Sequence, residues 1–469
     1  MENRVKYLIK NTAIFTIGNI ATKLISFFLI PLYTNVLTTS EYGVVDLVIT
    51  ISTIAVPLLT LNVMEAVMRF NLDKDVDHDK ITKIGIIIFI MACMIGVFLI
   101  PVCECFDILF GMWKMIYWYC ISSAACQIFL SDLRGKELLV QYNVGNVLNT
   151  LFIAIFNVFF LVFLKLGVKG YLLAYIIANM IVAVYALIIG KGYKAIFRNL
   201  DKFKMFEMLK YSVVLIPNSF MWWIMNSSDH LMVTSMLGTA ANGIYAISYK
   251  LPTLISTVTG IFNQAWSYSA IREENAEDIN SYTNRIFKYM IGVIMLVGIG
   301  MMTFIKLFLK LYVSDNYYVA WKYSSFLIIG CVYSTLATFM STSYTVHKDS
   351  VGFLLSGTFG AIFNIILNWL LIPLIGIYGA AFATCVSYIL VFIFRAVHTK
   401  KYIIYNIFTK EFIVGSIGLV ISAFILYLDN WVAQIIQILL FICIGLYMKD
   451  VWLLFTSMIL NKLRKKGNV

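Results

Sequence analysis

Lys23 and Lys250 each interrupt a long apolar run. On a helix, Thr12, Thr16, Asn19, Lys23 and Ser26 fall within roughly an 80° arc at about 100° per residue. They form a polar stripe on an otherwise apolar surface. Lys23 lies about 18 Å along that helix from Asn11, near the middle of a bilayer-spanning length. An ionisable side chain at that depth costs a few kcal/mol or more, so it faces water or a partner. Two such ammonium groups suit the binding of an anion. Asp46 shares a narrow arc with Thr50, Thr53 and Thr60. Asn218 and Asp229 share a face of a later segment that carries Pro217. Lys23, Lys250, Asn19, Asp46, Asn218 and Asp229 are therefore the candidate substrate-binding residues. Glu65 and Arg69 stand four apart and are expected to pair as a gate or structural clasp.

The same scan finds no catalytic residue, metal site or cofactor motif. The four histidines (78, 230, 347, 398) show no HExxH spacing, and no GxxxxGK[ST] occurs. Asp73, Asp75, Asp77 and Asp79 alternate like a calcium loop. His78 stands where that loop needs glycine and Ile84 where it needs glutamate. The eight cysteines are scattered, without the spacing of a zinc site or a disulfide framework. An enzyme is not expected.

These residues need elements that can hold them in an apolar surround. Of the 469 residues 61% are hydrophobic and 13% charged; a soluble domain has about 45–50% and about 25%. That excludes a soluble enzyme, a disulfide scaffold and a disordered chain. The apolar stretches are continuous, which selects helices over a β-barrel. Fourteen segments reach spanning size: 11–37, 42–68, 84–104, 114–133, 143–164, 170–190, 209–236, 243–269, 284–306, 321–343, 351–373, 378–398, 411–428 and 431–448. With the N-terminus in the cytoplasm, 28 of the 36 Lys and Arg residues fall in cytoplasmic segments and six in outer ones. Lys23 and Lys250 complete the number. This positive-inside bias places both termini in the cytoplasm, and the excess charge of +12 reflects topology rather than nucleic acid. No removed signal peptide is expected. The basic tail, 451–469, is expected to lie on anionic lipid. No loop offers room for a catalytic or ATPase domain.

The chain also repeats. Leu37 to Val44 is echoed by Leu237 to Ile244, at an offset of 200. Leu166 to Gly170 is echoed by Ile375 to Gly379, at an offset of 209. Six spans separate like joints, so the halves are parallel repeats. The expected fold is all-α and polytopic. Two pseudo-symmetric six-helix lobes surround a central cavity, and two C-terminal helices follow. The lobes are 1–204 and 205–402, with 403–469 holding the last two spans and the tail.

The run from Leu29 through Pro31 to Gly43 resembles the opening of bacterial polysaccharide exporters. So do Glu65 to Phe70, Gly243 to Pro252, and Gly376 to Ala381. The chain resembles an O-antigen or capsule repeat-unit flippase of the multidrug/oligosaccharidyl-lipid/polysaccharide exporter superfamily. The resemblance implies alternating access in the bacterial cytoplasmic membrane, with a polyprenyl-pyrophosphate-linked oligosaccharide as cargo. The expected partners are membrane lipids, a coupling H+ or Na+, and a polysaccharide polymerase with its assembly proteins. Alternatives are a drug/cation antiporter or a peptidoglycan-precursor flippase of the same superfamily. A membrane glycosyltransferase or polymerase is the alternative from another class.

Overall fold

A computed structural model describes residues 2–73, 76–105, 111–272, 278–428 and 430–449. The side chains of 2–17, 19, 218, 222, 261, 264, 265, 268 and 272 are outside the description, as is the expected interfacial tail. The described residues are helical, with no strand among them. The helices are α1 (Glu2–Val36), α2 (Thr39–Leu59), α3 (Val63–Asn71), α4 (His78–Glu104), α5 (Trp113–Gly135), α6 (Leu139–Asn157), α7 (Gly167–Ile189) and α8 (Lys202–Leu237). Then come α9 (Thr239–Arg272), α10 (Ile279–Tyr312), α11 (Asp315–Tyr318), α12 (Trp321–Val346), α13 (Ser350–Ile375), α14 (Ile377–His398), α15 (Lys410–Leu426) and α16 (Trp431–Tyr447).

Each of the fourteen expected segments coincides with a helix. The second one differs: a turn at Thr60–Asn62 splits it into α2 and α3. Leu61 and Asn62 both take positive φ there, and Asn62 N–H donates back to the Pro57 carbonyl at 2.7 Å. Asn accepts the left-handed region more readily than most residues. The fifth segment ends in a π-helical turn, Val158–Phe163.

Among the described residues eight helices are long and apolar enough to cross a membrane by length and composition. α5, α8 and α9 have the length but carry more polar residues. Large apolar side chains point outward, with Phe98 79% exposed and Phe163 71%. Such outward apolar surface has its place against lipid rather than water. The architecture is that of a multi-pass helical membrane protein.

The chain divides into two units, Met1–Gly243 and Ile244–Val469. In the first, α5 packs on α3, α4 and α7, α6 packs on α1 and α7, and α8 packs on α2 and α3. One core joins Val67, Ile84, Ile88, Ile128 and Met208, and another joins Leu130, Leu133, Val182 and Ala186. A buried ion pair fixes one end of this unit. Asp132 accepts from Lys136 Nζ at 2.6 Å, Thr82 Oγ1 at 2.7 Å and Asn71 Nδ2 at 3.0 Å. Lys136 also donates to Thr82 Oγ1 and to the Gly190 carbonyl. The two side chains are 3% and 10% exposed. This network ties α3, α4, α5 and the end of α7 together.

In the second unit α12 packs on α10 and α14, α13 on α14, and α15 on α10 and α16. Gly376 turns α13 into α14 with φ 61°, and Gly167 enters α7 with φ 56°. Both left-handed positions suit glycine, and they stand 209 residues apart, as the repeated joint requires.

Candidate functional site

α2 begins with a capping box, in which Glu41 N–H donates to Thr38 Oγ1 and Thr38 N–H to Glu41 Oε2. The box fixes the first turn of α2, and Asp46 follows one turn later. α8 brings His230 to that carboxylate, with Nδ1 2.7 Å from Asp46 Oδ2. The first turn of α9 brings Asn242, whose amide donates to Asp46 Oδ2 at 3.2 Å and to the Gly43 carbonyl at 3.0 Å. His230 Nδ1 also lies 3.1 Å from Asn242 Oδ1. Both of these partners of Nδ1 are acceptors, so this nitrogen carries the hydrogen. Asp229 is 2% exposed and accepts the backbone N–H of His230. Further along, Trp223 Nε1 donates to the Thr50 carbonyl at 2.8 Å.

Beside this network α2 and α9 touch through backbone. A Cβ on Gly43 would strike the Thr239 carbonyl, and one on Gly243 would strike the Thr39 carbonyl. Ser40 Oγ lies 2.7 Å from Thr239 Oγ1. Thr39 and Gly43 on one side face Thr239 and Gly243 on the other, which are their repeat mates at an offset of 200. The two repeated joints meet each other reciprocally, as isologous surfaces do. The result is a hydrogen-bonded seam among α2, α8 and the start of α9.

The structure thus brings Asp46 and Asp229 to one locus. Lys23 is exposed on α1, and Lys250 is partly exposed on α9. Neither ammonium pairs with an acid of its own unit among the described residues. The side chains of Asn19 and Asn218 are outside the description. One expectation is corrected: Arg69 pairs with Asp73 at 2.5 Å rather than with Glu65. α3 ends at Asn71, so the chain beyond it is free to fold Asp73 back to the guanidinium. His230 and Asn242 were missed as site residues. Asn242 sits just before the repeated glycine, which is the one signal that marked it. Among the described residues no group of three His, Cys, Asp or Glu could hold a metal ion.

A family model described as polysaccharide biosynthesis protein matches residues 8–268, more than half of the sequence. The chain belongs to that family. A comparison with curated protein sequences finds no match. Among solved structures the chain is similar to the lipid II flippase MurJ in an inward closed conformation. Identity is 14% and the TM-score 0.66, over 96% of this chain and 100% of that one. It is also similar to an inward-facing multidrug resistance MATE family transporter of the MOP superfamily. There identity is 12% and the TM-score 0.59, over 87% and 95% of the two chains. A MOP superfamily transporter from Pyrococcus furiosus matches at 13% identity and TM-score 0.53, over 88% and 96%. At these identities the likeness shows the fold, which is that of the MOP-superfamily transporters.

Proposed function

We propose that this family member is a flippase. It moves a polyprenyl-pyrophosphate-linked oligosaccharide, an O-antigen or capsule repeat unit, across the bacterial cytoplasmic membrane by alternating access. Both termini lie in the cytoplasm. The reading is supported by one observation: Lys23 and Lys250 lie on the long helices α1 and α9, each unpaired with an acid of its own unit among the described residues. A pyrophosphate resists entering hydrocarbon, and an ammonium group at 4 Å offsets about 4 kcal/mol of that cost at an effective dielectric near 20. Exposed Thr253 on α9 supplies a hydroxyl partner for sugars. Asn11 to Ser40 contains no acid, which argues against a cationic drug as cargo. The polymerase and assembly proteins that use the exported unit are its expected partners, and a proton or sodium gradient its energy source.

Lys23→Ala and Lys250→Ala should each reduce surface glycan at an unchanged level of membrane-inserted protein, and Lys→Arg at either position should retain export. Wild-type export in both alanine variants would overturn the assignment. Reconstituted vesicles with an imposed proton or sodium gradient test the coupling, and rates equal under every gradient would reject it.

A further inference from the structure

We propose that the connection from α7 to α8, together with the first turns of α8, docks on anionic phospholipid headgroups of the cytoplasmic leaflet. Two short elements of the first unit build the surface. One is a 3₁₀ turn, Gly192–Phe197, packed on α4 and α7. Side chains three apart eclipse each other in such a turn. Gly192 and Ala195 form its inward ridge and are buried. Lys194 and Phe197 form an outward ridge, which Lys191 precedes at the same spacing. The third ridge, Tyr193 and Ile196, is exposed as well. Lys83 Nζ donates to the Ile196 carbonyl at 2.8 Å, and Arg198 Nε lies 3.3 Å from Asp79 Oδ2. These bonds clamp the turn along the start of α4 with its lysine and phenylalanine ridge outward.

α8 repeats the arrangement at helical spacing. Asp201 caps it by accepting the Lys204 backbone N–H at 3.0 Å. Met208 is buried in the core with Val67 and Ile84, and Met205 and Leu209 pack beside it. On the other side Phe203, Phe206, Lys210, Val213 and Val214 fall within roughly a 100° arc. All five are exposed, and exposed Lys202 stands at the edge of the arc. Phe197 is 87% exposed, Phe203 74% and Phe206 67%.

The charge on this surface is one-sided. The acids of the segment are already taken, Asp201 by Lys80 at 3.8 Å and Glu207 by Lys204 at 3.2 Å. Lys191, Lys194, Lys202 and Lys210 are exposed and pair with no acid among the described residues. Four such ammonium groups among exposed aromatic rings suit a surface where phosphates stand at the edge of acyl chains. An acidic soluble protein would match the lysines and leave the apolar stripe uncovered. That stripe runs on from Phe203 and Phe206 to Val213 and Val214, along a helix of spanning length. An uncharged membrane would cover the stripe and leave the lysines unmatched. The leaflet follows from the bias of basic loops toward the cytoplasm. This docking does not depend on the cargo.

The test uses the full chain in nanodiscs of equal phosphatidylglycerol and phosphatidylcholine, with photoreactive p-benzoylphenylalanine in place of Phe197. Mass analysis of the photoproduct identifies the lipid beside that position. Phosphatidylglycerol adducts should exceed phosphatidylcholine adducts by about fivefold or more, since one lysine near an anionic surface is worth about fivefold in affinity. Replacing the four lysines together (Lys191→Gln, Lys194→Gln, Lys202→Gln, Lys210→Gln) should bring the ratio close to one at an unchanged melting temperature, with the basic tail intact. On the chain with all four lysines, 1 M salt should lower the ratio, because it shortens the screening length to about 3 Å. Absence of a lipid adduct, equal adducts of both lipids, or a preference that survives the glutamine variant or the salt overturns the proposal. Cross-linking to a second copy of the chain in place of lipid overturns it as well. Loss of export in Lys23→Ala or Lys250→Ala bears on the flippase reading alone.

Discussion

Replacing Asp132 by alanine should destabilise the first unit more than any surface change. The carboxylate holds three donors, Lys136, Thr82 and Asn71, and the side chains of the ion pair are almost fully enclosed. Removing one member of a buried pair leaves the other charge without compensation, at about 3–5 kcal/mol. A unit of this size loses roughly 2 °C of melting temperature per kcal/mol. The expected fall is therefore about 6–10 °C, read by intrinsic fluorescence of the detergent-purified protein. Asp132→Leu with Lys136→Met removes both charges. It should melt above Asp132→Ala, because no charge is left stranded, although Asn71, Thr82 and the Gly190 carbonyl lose their former partners and Thr82 keeps its bond to the His78 carbonyl. An alanine variant that melts with the wild type would refute the buried pair. A double variant worse than the sum of its singles would refute the claim that the stranded charge is what costs.

Two further outcomes test other features. Ser40→Cys with Thr239→Cys places two thiols where hydroxyls now lie 2.7 Å apart, within reach of a disulfide; oxidation should stop glycan export and reductant should restore it, and full export by the cross-linked protein would show that this seam need not open. The carboxyl of Asp349 is held well below the usual carboxylate range, first by the Gly352 backbone N–H and then by Lys401 and Tyr402. Its stabilisation is present above the unfolded value of about 3.9 and is lost as pH falls through the lower folded value. Melting temperature should drop on acidification below about pH 4, and less steeply in Asp349→Asn; identical pH profiles would refute the contact.

The helices were legible because lipid forces one solution on a long apolar run. Every expected segment is helical, and the glycine joints fall where the repeat placed them. The turn at Thr60–Asn62 was hidden because its residues are as compatible with a helix end as with a helix middle. Arg69 shows the limit of spacing arguments. Glu65 precedes it by four residues and Asp73 follows by four, so sequence alone gives no ground for choosing between them. His230 was hidden for a different reason. Its partner Asp46 lies 184 residues away, and helical periodicity speaks only of neighbours on one helix. Lys23 and Lys250 stood out because a cation is conspicuous in an apolar run.

The facing of Gly43 and Gly243 has a consequence for how the two halves can change. Each position is walled by the other's helix start, so a larger residue at either one pushes on the same joint. Two sites 200 residues apart therefore answer to a single spatial constraint. A duplicated ancestor whose halves otherwise drifted freely would still be bound together at this one point.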